Sequence, residues 1–188
     1  SDITRTYPLG PLTEDEKRFY TWTLQSHIDL AKAVWLDYCE CKMIDTIARE
    51  PLWRHLINYR CGTGHSVSFV GNVHEGPHAL NSRNTTRMRP GMVVTDEPGV
   101  YETDLVGIRI ENELVCVHKA DNQYGTFLGF EPLMFVPIAT SPILPGVLDK
   151  DEIAWLNDYH RQVFAKLAPH LNDEERSWLA EKCAAIGC

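Results

Sequence analysis

Apolar and polar positions alternate along this chain with two different periods, and each period marks a different kind of element. After Thr13, which begins a Thr-x-x-Glu capping pattern with Glu16, the residues Phe19, Leu24, Ile28, Ala31 and Val34 keep roughly helical spacing. This predicts a helix with one buried stripe running to about Trp35. A second helical pattern sets Met43, Ile44, Ile47, Ala48, Leu52, Trp53 and Leu56 on one side, with Met43 and Trp53 expected in the core. Pro51 has no N–H and should kink this helix or start a new segment. Toward the C-terminus, Asp149-x-x-Glu152 and Asn172-x-x-Glu175 predict two more capped helices. The first buries Ile153, Leu156, Val163 and Leu167, and the second carries Trp178 and Leu179.

Between the helices the period falls to two. In MVVTDE the residues Val93, Thr95 and Glu97 share one strand face, and in GIRIEN Arg109 and Glu111 lie opposite Ile108 and Ile110. Two antiparallel strands joined through Pro98-Gly99 turn chemistry can therefore present Glu97 and Glu111 side by side. Upstream, the Gly-rich stretch from Tyr59 to Phe69 delivers His65 onto a strand, and His74 precedes another turn. Residues 2–10 read as a short β segment, residues 77–91 as a polar surface loop, and TFLGFEPLMFVPIAT as a β-rich run broken by Pro132 and Pro137. The fold class predicted is α+β, with a soft boundary near residues 118–126.

Composition narrows the partners. A length of 188 residues with 44% hydrophobic content is enough for a sizeable core, and a net charge of −8 with no basic run argues against nucleic acid. No apolar run approaches the roughly 18 residues that would suggest a membrane span. SDITRTYPLG has the features of no leader peptide, which reads as unsecreted. The six cysteines, Cys39, Cys41, Cys61, Cys116, Cys183 and Cys188, show no CxxC pair or zinc-finger spacing. They are expected as free thiols in a reducing compartment, the cytoplasm.

Bringing Glu97 and Glu111 together costs several kcal/mol of repulsion and desolvation unless a cation or a proton lies between them. With His65 and Asp2 they form an oxygen-rich set with one imidazole, suited to hard or borderline divalent ions such as Mn²⁺, Co²⁺ or Zn²⁺. Read singly, His65 is equally a turn histidine, Glu111 an ion-pair partner of Arg109, and Asp2 an exposed terminal residue.

The order DITRT, GTGH, VHEGP, DEPGVY and GIRIEN, over residues 2–117, closely resembles the pita-bread metallopeptidases of the aminopeptidase P and prolidase group. FLGFEPLMFVPI, the WLNDYH helix and the DEERSWL helix, over residues 126–186, are similar to the C-terminal module of the three-domain cytosolic type of aminopeptidase P. The resemblance implies the C-terminal portion of a pita-bread fold over residues 1–118, with an appended helical module over 119–188. It implies Xaa-Pro aminopeptidase activity on peptides with proline in second position, using two divalent ions, usually Mn²⁺.

At matching positions the resemblance implies Asp2, His65, Glu97 and Glu111 as metal ligands. Glu97 would also accept a proton from the attacking water, and His74 would contact substrate and stabilise the tetrahedral intermediate. Arg109 would orient a ligand carboxylate, and a homodimer is implied, with Trp155 and Trp178 as the residues to watch. The chain departs from the family in three respects. A further ligand aspartate lies upstream of the DITRT aspartate in relatives. Cys61 stands where a substrate-contacting histidine is usual, and Ser66 and Ser68 replace glycines. These departures give two expectations: a chain that lacks the N-terminal part of a longer protein and is weakly active alone, or an inactive pseudo-peptidase serving as a binding module.

Overall fold

A computed structural model describes residues 2–187. Helix α1 (Glu14–Ala31) starts on the expected capping box: the Thr13 hydroxyl accepts from the Glu16 N–H while the Glu16 carboxylate accepts from the Thr13 N–H. Strand β1 (Val34–Leu36) follows at once, so the helix stops at Ala31 rather than near Trp35. The spacing that placed Val34 on the helical stripe is coincidental, because Val34 to Leu36 pair with Gly129 to Phe127 and Val34 is exposed.

Helix α2 (Cys41–Trp53) runs through Pro51. The proline sits in the last turn, where only one intrahelical bond is lost, and the helix neither restarts nor ends before it. Met43 and Trp53, expected in the core, lie on the outer side at 48% and 43% exposure, and Leu56 beyond the helix is almost fully exposed. The buried stripe is narrower: Cys41, Ile44, Ala48 and Leu52.

The short strands β2 (Gly64–His65) and β3 (Ala79–Leu80) pair antiparallel. Thus the stretch 77–91 is more than a surface loop, since Leu80 and Met88 are core residues. Strand β4 (Val93–Asp96) leads to a separate hairpin of β5 (Gly99–Glu102) and β6 (Val106–Arg109). Strands β7 (Asn112–Asn122) and β8 (Gly125–Pro132) form the long hairpin that ends the β region. The main sheet has the order β1-β8-β7-β4. The antiparallel partner of β4 is therefore β7, and the expected connection between the two glutamates folds into its own two-stranded unit. Residues 2–10 contribute a single bridge, Thr4 to Glu111, in place of a strand.

Helices α3 (Lys150–Leu167) and α4 (Asp173–Lys182) both carry the predicted capping boxes, on Asp149 and Asn172, with a 3-10 turn (Ala168–His170) between them. Two main cores result. One packs Leu30, Trp35, Ile44, Ala48, Val94, Leu114 and Phe130 between α1, α2 and the sheet. The other packs Leu24, Ile28, Ile110, Ile138, Leu156 and Val163 between α1 and α3. Trp155 is partly buried against both cores, whereas Trp178 is 55% exposed.

Candidate metal centre

Strand alternation builds this site. In the β4–β7 register Val94 pairs with Leu114, Thr95 with Glu113, and Asp96 with Asn112. Continuing the register by one residue sets Glu97 opposite Glu111. Val94, Asp96, Asn112 and Leu114 then share the face toward the helices, and Thr95, Glu97, Glu111 and Glu113 share the other.

On that second face one donor atom each from Asp2, His65 and Glu111 lies within 4.8 Å of the other two. His65 Nε2 is 3.4 Å from Asp2 Oδ2 and 3.2 Å from Glu97 Oε1. All four residues expected to bind metal are thus brought together, although Asp2 and Glu111 arrive by an irregular segment and a strand end. Glu111 is buried, and Asp2, His65 and Glu97 are half-buried.

Glu111 and Glu97 are each held by neighbouring side chains. The Thr4 hydroxyl donates to Glu111 Oε2, and the Thr95 hydroxyl donates to Glu97 Oε1 at 3.1 Å. Arg109 Nη1 lies 3.1 Å from Glu97 Oε2. The Asp2 N–H donates to Glu113 Oε1 at 2.7 Å. Burial raises the Glu111 carboxyl above its ordinary range; the Thr4 bond opposes this, and the charges of Glu97 and Asp2 add to it.

The histidine shows what such a cluster accommodates. His65 Nδ1 is 3.1 Å from the Ser66 carbonyl oxygen, which only accepts, so Nδ1 carries a proton. In the neutral ring Nε2 then directs a lone pair at carboxylate oxygens of Asp2 and Glu97. Lone pair facing anion is repulsive unless a cation or a second proton intervenes. A divalent ion resolves this, since neutral imidazole and carboxylates are its usual donors, and the donor set fits the expected metal.

Close packing fixes where His65 emerges. The Glu97 N–H donates to the Thr63 carbonyl at 2.8 Å, and the His65 N–H donates to Thr95 Oγ1 at 2.9 Å. A Cβ on Gly64 would lie 1.8 Å from the Thr95 carbonyl oxygen, so only glycine permits this approach. His74 stacks on His65 with ring centroids 3.7 Å apart and is itself exposed. Cys61 Sγ donates weakly to the Gly99 carbonyl at 3.8 Å, beside the hairpin that carries Arg109.

Behind the sheet two polar groups sit in full burial. His27 Nδ1 lies 3.0 Å from Asp96 Oδ2, and neither side chain is exposed. Burial pushes the Asp96 carboxyl up to about 6, opposed by His27. Arg5 ties the N-terminal segment down, donating to the Glu111 carbonyl (2.6 Å), Asn112 Oδ1 (2.8 Å), the Val136 carbonyl (2.8 Å) and the Tyr159 hydroxyl (2.9 Å). Arg5 was legible only as one residue of DITRT, without a partner.

Comparison with known proteins gives the family. A model of metallopeptidase family M24 matches residues 1–118, and a model of the C-terminal region of peptidase M24 matches residues 126–186. Aminopeptidase P1 of Lotus japonicus is 39% identical over 100% of this chain and 29% of its own length. Aminopeptidase P2 of Arabidopsis thaliana is 42% identical over 95% of this chain and 26% of its own. The crystal structure of an X-prolyl aminopeptidase from Caenorhabditis elegans, described as a cytosolic enzyme with a di-nuclear active site, superposes with a TM-score of 0.91. It is 37% identical over 98% of this chain and 31% of that one. Prolidase from Pyrococcus furiosus gives a TM-score of 0.60 at 29% identity, covering 71% of this chain and 36% of its own. The chain belongs to metallopeptidase family M24 and has the C-terminal portion of its pita-bread fold. It spans about 30% of the length of the curated relatives it matches. The five described cysteines are free thiols, and no described helix is long and apolar enough to cross a membrane.

Proposed function

We propose that this chain carries the metal-binding end of an Xaa-Pro aminopeptidase. Asp2, His65, Glu97 and Glu111 ligate a pair of divalent ions, Mn²⁺ in first place and Co²⁺ or Zn²⁺ as alternatives. The observation that carries this reading is the convergence of Asp2, His65 and Glu111 within 4.8 Å, with Glu97 at 3.2 Å from the same imidazole nitrogen. A bound divalent pair supplies Lewis acidity and a water whose pKa falls toward neutrality.

The chain's own groups would do the rest. Glu97, oriented by Thr95 and Arg109, accepts the proton of the attacking water. His74, exposed beside His65, donates to the scissile carbonyl oxygen as negative charge develops on it. Cys61, at the neighbouring turn, contacts the substrate and cannot supply the positive charge that a histidine there would. The substrate is a peptide with proline second, and the bond cleaved joins its first residue to proline.

Further parts of the reading rest on the relatives. We assign a cytoplasmic location, supported by the cytosolic C. elegans neighbour. We assign a homodimer in which exposed Trp178 lies at the interface, and a division into a catalytic part (residues 1–118) and a C-terminal module (residues 119–188). A second reading, a pseudo-peptidase that binds without hydrolysing, is favoured by Cys61, Ser66 and Ser68. Calorimetric titration with Mn²⁺ tests the first reading, with hydrolysis of an Xaa-Pro peptide measured alongside. Binding that disappears in His65→Ala and Glu97→Gln is expected; binding unaffected by both substitutions would sink it. Binding without hydrolysis, unrescued by Cys61→His in a full-length protein, would favour the pseudo-peptidase.

A further inference from the structure

Directly behind the two strand-end carboxylates lies a buried polar chain whose members can be oriented by elimination. Arg5 Nη2 donates to Asn112 Oδ1 at 2.8 Å, so the Asn112 amide oxygen is occupied and its Nδ2 is the group turned to His27 Nε2, at 3.4 Å. An amide nitrogen only donates, so His27 Nε2 accepts and the ring's proton is on Nδ1. That nitrogen lies 3.0 Å from Asp96 Oδ2. The chain therefore links a cation, Arg5, through Asn112 to His27, whose Nδ1 side lies against the Asp96 carboxylate.

The location gives this chain its meaning. Asp96 and Asn112 are direct cross-strand partners, and they immediately adjoin Glu97 and Glu111 in sequence. Because strand residues alternate faces, fixing the side chains of Asp96 and Asn112 on the helix side fixes the directions in which Glu97 and Glu111 leave the other side. His27 touches both. It projects from α1 between the apolar Leu24 and Ile28, and Trp155 of α3 closes over it edge-on at 5.9 Å.

Packing alone does not account for this arrangement. His27, Asp96 and Asn112 are all without exposure, in a region where aliphatic side chains would fill the space without desolvating a carboxylate. A buried polar or charged group is weak grounds for stability and is better suited to fixing one conformation. We propose that His27 is a positioning residue for the metal centre, holding Asp96 and Asn112 so that Glu97 and Glu111 converge at metal-ligating separation.

The proposal rests on the metal-site reading, and the experiment separates the two. Mn²⁺ affinity of the intact protein is measured by calorimetry and the Mn²⁺ environment by electron paramagnetic resonance, at a temperature well below unfolding. The variants are His65→Ala, His27→Leu and His27→Asn. His27→Leu is expected to weaken Mn²⁺ binding at least about 10-fold and to alter the resonance spectrum, although residue 27 touches no ligand atom. His27→Asn, whose amide can still donate to Asp96, is expected to recover most of that affinity. If His65→Ala binds Mn²⁺ as the unaltered protein does, the site reading itself fails. If His65→Ala loses binding while His27→Leu binds with unchanged affinity and spectrum, His27 does not position the ligands. Should His27→Leu fail to fold, Asp96→Asn decides: weakened affinity with an altered spectrum supports the proposal, and unchanged affinity and spectrum overturns it.

Discussion

Gly64 shows how tightly single residues are constrained here. It is the residue before a candidate ligand, and the Thr95 carbonyl occupies the space where its side chain would be. Gly64→Ala must push β2 away from β4, and overpacking of this kind costs about 1–3 kcal/mol. Since the same movement displaces His65 from Glu97, Mn²⁺ affinity is expected to fall along with the denaturation midpoint; an unchanged affinity in a folded variant would contradict this. The candidate ligands themselves were legible, because Glu97 and Glu111 end alternating runs and His65 follows a Gly-rich turn. Thr4 and Thr95 were not, since a threonine that orients a carboxylate looks in sequence like any strand threonine. His27 and Asp96 were illegible for a related reason: each lies inside an element whose period demands burial, and only the fold shows that they are buried against each other.

Elements were best read where local chemistry alone defines them. All three capping boxes formed as expected because a cap depends on residues within one turn of each other. Strand β1 went unrecognised since three residues have no measurable period and its pairing with β8 comes from far along the chain. Helix α2 carries a contact network that periodicity cannot express. Arg49 Nε donates to Asp45 Oδ2 at 2.8 Å, and its other nitrogens donate to the carbonyls of Tyr59 and Cys61, both at 2.9 Å. The Thr63 hydroxyl donates to Asp45 as well. One ion pair on a helix thus clamps the turn leading to His65. Arg49→Leu leaves the Asp45 carboxylate buried without its cation, a change that costs about 3–5 kcal/mol. Urea unfolding should report a loss of that size, and a loss below about 1 kcal/mol would show that the turn holds itself.

At the scale of the whole molecule, metal and proton should act on stability in separable ways. Mn²⁺ at about 100 times its dissociation constant is expected to add about 2.7 kcal/mol, read as a higher thermal midpoint that a chelator reverses. With chelator present, the acid limb should be dominated by groups away from the centre, and His160 is the clearest. It is wholly buried, and its Nε2 accepts the Ile138 N–H at 3.1 Å. Burial drives its pKa down from 6.5 to about 4; the Ile138 bond acts the other way, and the charge of Arg5 adds to the lowering. The folded protein therefore keeps His160 neutral where the unfolded chain already takes up a proton. Its contribution is complete above pH 6.5, declines as pH falls from there, and is exhausted below about 4, a total on the order of 3 kcal/mol. His160→Gln retains an acceptor for Ile138 and removes the titration. Between pH 7 and 4.5 its urea midpoint should fall less than that of the unaltered protein, and parallel declines in the two would show that His160 does not set the acid limb.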